Sequence, residues 1–257
     1  MKVISFNANG IRSAAKKGFF IWLAEQDADF VCIQETKAQV HQLQAEAHFC
    51  PAGYFCEYVD AEKKGYSGVA LYAKKKPFNI VTELGFATAD NEGRYVQFDY
   101  ADLSVISLYL PSGTSGDERQ AVKMNFLEQL IEPLQGLKKS GREVILCGDY
   151  NIAHQPIDLK NWRANQTHSG FLPEERAWLD RLFGDLGFVD AFRVINQAPD
   201  QYTWWSHRGR AREKNVGWRI DYQVITPGLV SRVYGAAIET SHYFSDHAPL
   251  TIEYDGL

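Results

Sequence analysis

Residues 144–154 read VILCGDYNIAH. Val144, Ile145 and Leu146 form an apolar run of strand type, and the run delivers Asp149 and Asn151 at its end. Burying a bare carboxylate costs on the order of several kcal/mol unless it is paired or bound to a metal. Such an ending is either a turn, where Asp and Asn are common, or the rim of a site. For one stretch alone the turn is the better reading.

The pattern recurs along the chain. VISFNANG ends on Asn7 and Asn9, VCIQETK on Glu35 and Lys37, VISLYLPSG on Tyr109, and WRIDYQVI carries Asp221. FSDHAPL sets Asp246 and His247 just before the last strand. If the chain stays extended, side-chain alternation puts Asn7 and Asn9 on one side, and likewise Asp149 and Asn151. Each residue alone has a bland role as cap, turn residue, surface group or satisfied core hydroxyl. Recurrence favours convergence on one site.

Apolar runs predict strands at about 2–7, 29–34, 67–73, 79–83, 94–99, 103–110, 143–149, 201–205, 219–225 and 249–254. Helical spacing predicts helices near 16–26, 118–138 and 173–187, the last opening on Pro173 and ending near Gly187. Many strands with few long helices point to an α/β fold of packed sheets flanked by helices. Strand ends are where ligands bind in many such folds. The 257 residues, 45% hydrophobic and 23% charged, contain no low-complexity tract that would act as a linker, so one domain over 1–257 is expected.

The N-terminus carries no signal-peptide pattern, and no apolar run approaches the roughly 20 residues of a membrane helix. Cys32, Cys50, Cys56 and Cys147 lack CxxC spacing, and Cys32 and Cys147 sit in apolar runs as buried thiols. A reducing, cytoplasmic location and no membrane contact are expected. The net charge of −5 argues weakly against a nucleic-acid partner, but local potential outweighs the total. Arg208, Arg210, Arg212 and Lys214 lie between YTWWSH and NVGWRIDY, and arginines interleaved with aromatics suit a nucleic-acid surface.

Oxygen ligands without a cysteine cluster suit a hard cation, Mg²⁺ with Mn²⁺ as a possible substitute. A metal, a base and cationic donors around a phosphate are the parts for phosphate-ester hydrolysis. No GxxxxGK[ST] or GxSxG motif is present, which disfavours a P-loop enzyme or a serine hydrolase.

FNANGIR, IQETK, GYSGVA, CGDYNIAH, NVGWRIDY and SDHAPL resemble, in order, the signature blocks of exonuclease III-type abasic-site (AP) endonucleases, in the endonuclease/exonuclease/phosphatase superfamily. GFLPEER and YTWW resemble the same subgroup. The resemblance implies a four-layer α/β sandwich of two mixed sheets between helical layers. It implies Mg²⁺-dependent cleavage of double-stranded DNA on the 5′ side of an abasic site, leaving a 3′-hydroxyl, with 3′-phosphodiesterase, 3′-phosphatase and 3′→5′ exonuclease activities on blocked 3′ ends.

By resemblance, Glu35 is the principal metal ligand, with Asn7, Asn9 and Asp246 nearby as direct or water-mediated partners. Asp149 activates the attacking water or holds a second metal, oriented by Asn151. Tyr109 acts on the phosphate or leaving oxygen, and His247, fixed by Asp221, binds a phosphate oxygen. Lys37 and Tyr66 support the phosphate, and Trp204, Trp218 and Ile220 form the apolar seat of the flipped sugar. Asn165 and His168 lie in the loop that grips DNA.

Some relatives have Asp at the place of Asn9 and an amide at that of Ser112. The small loop Ser112–Gly116 leaves wedging into DNA to Arg208 or to no residue. Gly170 leaves the seat open and favours the endonuclease. The alternatives are a 3′-end-processing exonuclease or phosphatase of the superfamily and, from another class, a non-catalytic DNA-binding member. A monomer is expected.

Overall fold

The computed structural model describes residues 1–256. In chain order the strands are β1 (Lys2–Asn7), β2 (Phe30–Gln34), β3 (Phe55–Val59), β4 (Val69–Ala73), β5 (Asn79–Val81), β6 (Tyr95–Asp99) and β7 (Leu103–Tyr109). Then follow β8 (Glu143–Asp149), β9 (Val189–Asp190), β10 (Trp204–Trp205), β11 (Gly217–Trp218), β12 (Asp221–Ile225), β13 (Val233–Ile238) and β14 (Leu250–Tyr254). One six-stranded sheet runs β13-β14-β1-β2-β4-β3, the other β5-β6-β7-β8-β12-β9, and β10 and β11 form a separate ribbon. Each large sheet is mixed, with one parallel pair, β1/β2 and β7/β8, among antiparallel neighbours.

The apolar runs are continuous because the central strands are covered on both faces. In β8, Ile145 and Cys147 face the core between the sheets, while Val144 and Leu146 face the Asp117–Lys139 and Pro173–Phe183 helices. In β2, Cys32 faces the inter-sheet core and Val31 and Ile33 face the helices Ile11–Lys16 and Phe19–Ala24. Helix, sheet, sheet, helix is the expected four-layer sandwich. Among the described residues no helix is long and apolar enough to cross a membrane.

The differences from the predicted elements have local causes. The helix expected over 16–26 is only Phe19–Ala24, separated by the left-handed Gly18 at φ 91° from a short helix, Ile11–Lys16, that precedes it. The helix expected to reach 187 ends at Phe183. The 201–205 strand is only Trp204–Trp205, and the 219–225 strand starts at Asp221. β3 and β13, both sheet edges with largely half-buried side chains, lack a clean apolar period and are not predicted. Cys32 and Cys147 are buried free thiols as expected, but Cys50 and Cys56 form a disulfide that their spacing does not announce.

Candidate active site

Three neighbouring strands of the second sheet set Tyr109, Asp149 and Asp221 in one register row. Residues opposite one another in register share a face. This face looks toward the first sheet, since Tyr109 packs in the inter-sheet core. Asn7, the last residue of β1, crosses the gap and donates from Nδ2 to Asp149 Oδ2 at 2.7 Å. Two sheets thus meet at one carboxylate.

β1 and β8 end in the same device. The side-chain oxygens of Asn7 and Asp149 accept from the backbone N–H two residues on, Asn9 and Asn151, each at 2.8 Å. Both third residues are left-handed, at φ 40° for Asn9 and 52° for Asn151, a conformation Asn tolerates better than most residues. The chain therefore does not stay extended, and alternation does not explain why each pair meets. Side-chain bonds do so instead. Asn151 Nδ2 donates to Leu110 O at 2.9 Å and lies 3.4 Å from Asp149 Oδ2, while Asn9 Nδ2 donates to Asp246 Oδ1 at 2.8 Å. Glu35 and Lys37 are left-handed too, at φ 55° and 50°. Strain of about 1–3 kcal/mol per such residue is typical of functional sites.

A cation already bridges part of this network. Lys37 Nζ lies 2.9 Å from Glu35 Oε1 and 2.5 Å from Asn9 Oδ1. Asp246 also accepts from Trp204 Nε1 at 3.1 Å. Deeper in, Asp149, Asp221 and His247 each offer one ligand atom within 4.8 Å of the others, and Asp221 Oδ1 is buried without a hydrogen-bond partner. The donors are carboxylates, amides and one imidazole with no thiolate, which fits a hard divalent cation. Of the two groups, the one around Glu35 suits such an ion better. Its present cation is a partly exposed lysine side chain, whereas His247 already clamps the other group.

His247 Nδ1 is 2.8 Å from Asp221 Oδ2, which leaves Nε2 facing Asp149 Oδ2 at 3.8 Å. Burial pushes the Asp149 carboxyl up and the charge of Asp221 pushes it further; His247, the Asn151 N–H and Asn7 oppose this, leaving it at about 7. Burial alone would lower the His247 pKa, but Asp221 and then Asp149 reverse this and raise it, so the ring is an imidazolium at neutral pH. For Asp246, burial acts upward but His247, Asn9 and Trp204 together hold its pKa below the usual value. Burial, Glu35 and Asp149 lift Tyr109 well above the usual phenol range, so its hydroxyl stays a proton donor.

Beside this polar core Trp204, Trp218 and Ile220 pack with Phe171, Leu159 and Ala153, the two indoles edge to face at 6.5 Å. Gly170 closes the group at φ +98°, and a Cβ there would stand 3.2 Å from both the Trp218 ring and the Asn151 carbonyl. A bridge between Trp204 and His247 joins this apolar cluster to the polar row.

Other predicted residues lie farther out. The Tyr66 hydroxyl is committed to Arg119 at 2.7 Å and Arg94 at 3.1 Å, behind Tyr109. Asn165 bonds Asn161 O at 3.0 Å, and His168 and Arg208 are exposed with no side-chain hydrogen bond. The arginine cluster is not one cationic surface. Arg212 donates to Ser245 O, Thr240 O and His242 O and stacks on Trp205 and Tyr243, so it is a structural residue. Arg210 is paired with Glu213.

Sequence reasoning missed three supports. Arg94, buried, lies 4.7 Å from the Tyr109 ring centroid and donates to its carbonyl at 2.9 Å. Ser245 Oγ donates to Asn7 O and accepts from His247 N. Thr203 Oγ1 accepts from the N–H groups of Ile220 and Asp221. Apart from the local Ser245–His247 bond, their spacing in sequence carries no signal, since the contacts reach other segments.

Comparison with known proteins agrees with this geometry. The model of the endonuclease/exonuclease/phosphatase family matches residues 4–247. The chain is 40% identical over 254 residues to an exodeoxyribonuclease of Bacillus subtilis (strain 168), covering 98% of each. It is 36% identical over 256 residues to the DNA repair nuclease APEX1 of Danio rerio, covering 98% of this chain and 81% of the relative. The solved structure of an AP endonuclease from Archaeoglobus fulgidus superposes with a TM-score of 0.90 at 30% identity over 99% of both chains. The chain therefore belongs to the endonuclease/exonuclease/phosphatase family, as a hydrolase of the kind that includes exodeoxyribonucleases and AP endonucleases.

Proposed function

We propose that the protein is a Mg²⁺-dependent repair enzyme that cuts double-stranded DNA 5′ to an abasic site and leaves a 3′-hydroxyl, with additional action on blocked 3′ ends. One juxtaposition carries the reading: the buried Asp149 carboxylate, held by Asn7 and Asn151 and 3.8 Å from His247 Nε2, adjoins an apolar cluster of Trp204, Trp218 and Ile220 packed against Gly170. A base-less sugar offers little to hydrogen-bond, so shape selects it, and flipping costs least where no base pair has to be broken.

In this mechanism Asp149 takes the proton of the attacking water, with Asn151 fixing the carboxylate. The new bond forms between that oxygen and phosphorus as the bond from phosphorus to the 3′-oxygen breaks, the departing 3′-oxygen taking a proton from solvent water to become the 3′-hydroxyl. His247 Nε2 faces the negative charge that develops on the phosphate, and Asp221, 2.8 Å from Nδ1, holds the ring's charge and orientation. Tyr109 offers a hydroxyl hydrogen bond to the same group. A divalent cation held by Glu35 with Asn7, Asn9 and Asp246 would neutralise charge on the phosphoryl oxygens. Lys37 and Tyr66 would support the phosphate, and Asn165, His168 and Arg208 would meet the DNA backbone. A monomer in the cytoplasm belongs to the same proposal. The free thiols of Cys32 and Cys147 support that location and the Cys50–Cys56 disulfide counts against it.

The test compares a duplex with an internal tetrahydrofuran abasic analogue, a 3′-phosphate nick and an undamaged 3′ end. The first should be cut fastest, and EDTA should stop all three reactions with Mg²⁺ restoring them. Asp149→Asn should keep the wild-type circular dichroism and lose about 10⁴-fold or more in kcat. Efficient 3′-phosphate release without incision would assign the protein to 3′-end processing.

A further inference from the structure

Two charged residues under the site have no part in the mechanism above. In the Asp117–Lys139 helix the buried stripe is Lys123, Phe126, Leu127, Leu130, Ile131, Leu134 and Leu137. In the Pro173–Phe183 helix it is Glu175, Trp178, Leu179 and Leu182. Each stripe is apolar except at its first member, the one nearest the site. Lys123 Nζ and Glu175 Oε1 meet there at 2.6 Å, both fully buried.

A buried ion pair is a poor source of stability. Removing two charges from water costs several kcal/mol apiece, and an apolar pair of similar volume is often neutral or better, by about 1–4 kcal/mol. Here the pair satisfies backbone groups that an apolar pair would strand. Lys123 Nζ donates to the carbonyl of Asn151 at 2.8 Å. Glu175 Oε2 accepts from the N–H groups of Gly170 at 2.6 Å and Leu172 at 3.0 Å, and its Oε1 accepts from Gln120 at 3.1 Å and Ser169 at 3.3 Å. On one side is the left-handed residue that orients Asp149. On the other is the loop that carries His168 and the floor of the apolar seat. The two loops also touch directly, Ala153 N donating to Gly170 O at 2.8 Å.

We propose that Lys123 and Glu175 are positioning residues that lock the Asn151 turn to the Gly170 loop, so that the attacking group and the sugar seat keep one mutual register. The ion pair acts as a strut between the two halves of the site. Loss of either charge in the strut moves Asp149 and Asn151 relative to the bound sugar, and a misplacement of about 1 Å can cost on the order of 100-fold in rate. The inference rests on the sugar-seat reading above.

The test is the double variant Lys123→Met/Glu175→Leu, which removes both charges and leaves none unpaired, beside Glu175→Gln and Lys123→Arg. Thermal unfolding, kcat and KM are measured on the abasic analogue and on the 3′-phosphate nick. The double variant strands the Asn151, Gly170 and Leu172 backbone groups and should melt below wild type; assayed well below its melting point, it should lose about 100-fold in kcat on the abasic duplex with KM changed less than about 3-fold. Lys123→Arg, which keeps the charge and the donors, should recover most of kcat. A double variant with wild-type kcat, whether or not its melting point falls, would make the pair a purely structural one and overturn the proposal. Should the double variant not fold, Glu175→Gln decides in the same way, since it keeps the shape and removes the charge. If wild type fails on the abasic duplex but releases 3′-phosphate, the seat reading fails. The kcat split on the nick then still tests the Lys123 hold on Asn151.

Discussion

At the scale of single residues, the charge of His247 depends on Asp221. Burial alone would deprotonate the ring, and it is the carboxylate 2.8 Å from Nδ1, with Asp149 behind it, that reverses this. Asp221→Asn removes the larger support. The imidazolium is then lost at lower pH, and activity that needs it falls off earlier on the alkaline side. We expect a kcat loss of about 10²–10⁴-fold and an alkaline limb shifted to lower pH, read from kcat against pH on the abasic analogue. An unmoved alkaline limb would separate His247 from catalysis. The residue types were all legible: Asn7, Glu35, Tyr109 and Asp149 announce themselves by ending apolar runs on polar groups, and Asp221 and His247 by standing at the entry to one. The left-handed turns at Asn9 and Asn151 were not, because nothing in an NAN or DYN triplet distinguishes a straight strand end from a bent one.

At the scale of elements, β12 is entered by two charges pointing opposite ways. Asp221 faces the site, and Arg219, buried, turns to Asp158 and Asp190, each at 2.8 Å. Burial pushes the Asp158 carboxyl up, but Arg219 and then Arg193 outweigh it and hold its pKa below the usual value. A depressed folded-state pKa contributes stability that is fully present above the unfolded value of about 3.9 and is lost as pH falls through the folded one. Asp158→Asn should therefore lower unfolding free energy by about 3 kcal/mol or more at pH 7. The gap from wild type should stay constant down to about pH 5 and close below about pH 4. Urea melts over that range measure it, and a gap that widens in acid would refute the assignment.

The segment between β10 and β11 gives a second test. Arg212 holds three carbonyls, whereas Arg208 is exposed. Arg212→Ala should cost about 2 kcal/mol or more of stability. Arg208→Ala should leave stability within about 0.5 kcal/mol and weaken DNA binding. Equal effects of the two on binding, at unchanged stability, would restore the single basic surface expected from sequence. Clustering in sequence showed that these arginines were neighbours. It did not show which of them the fold had already used.

At the scale of the whole molecule, a net charge of −5 coexists with cations gathered near the site. A groove of about 840 Å³ whose lining includes Arg12, Lys16 and Lys37, with Glu46 as its one acidic member, adjoins the Glu35 end. Binding to DNA should follow that local potential. The logarithm of affinity for an abasic duplex should fall linearly with the logarithm of salt, with a slope of about −0.9 for each phosphate contacted. A fluorescence-anisotropy titration at several salt concentrations gives the slope, and a flat line would contradict phosphate-led binding.

Much of the architecture was legible because it is written locally. A strand covered on both faces must be apolar throughout, so the central strands stand out, while edge strands such as β3 and β13 do not. The polar groups at the strand ends are local too, and the ordered blocks they form carry the family resemblance. The tertiary structure alone decided how those groups act on one another. Asn7 meets Asp149 across 142 residues and Lys123 meets Glu175 across 52, and no period or spacing encodes a contact of that kind. Which polar groups the chain would carry to the site was determined residue by residue. Their distances, charges and supports depend on low-dielectric contacts between distant segments, and those exist only once the two sheets have packed.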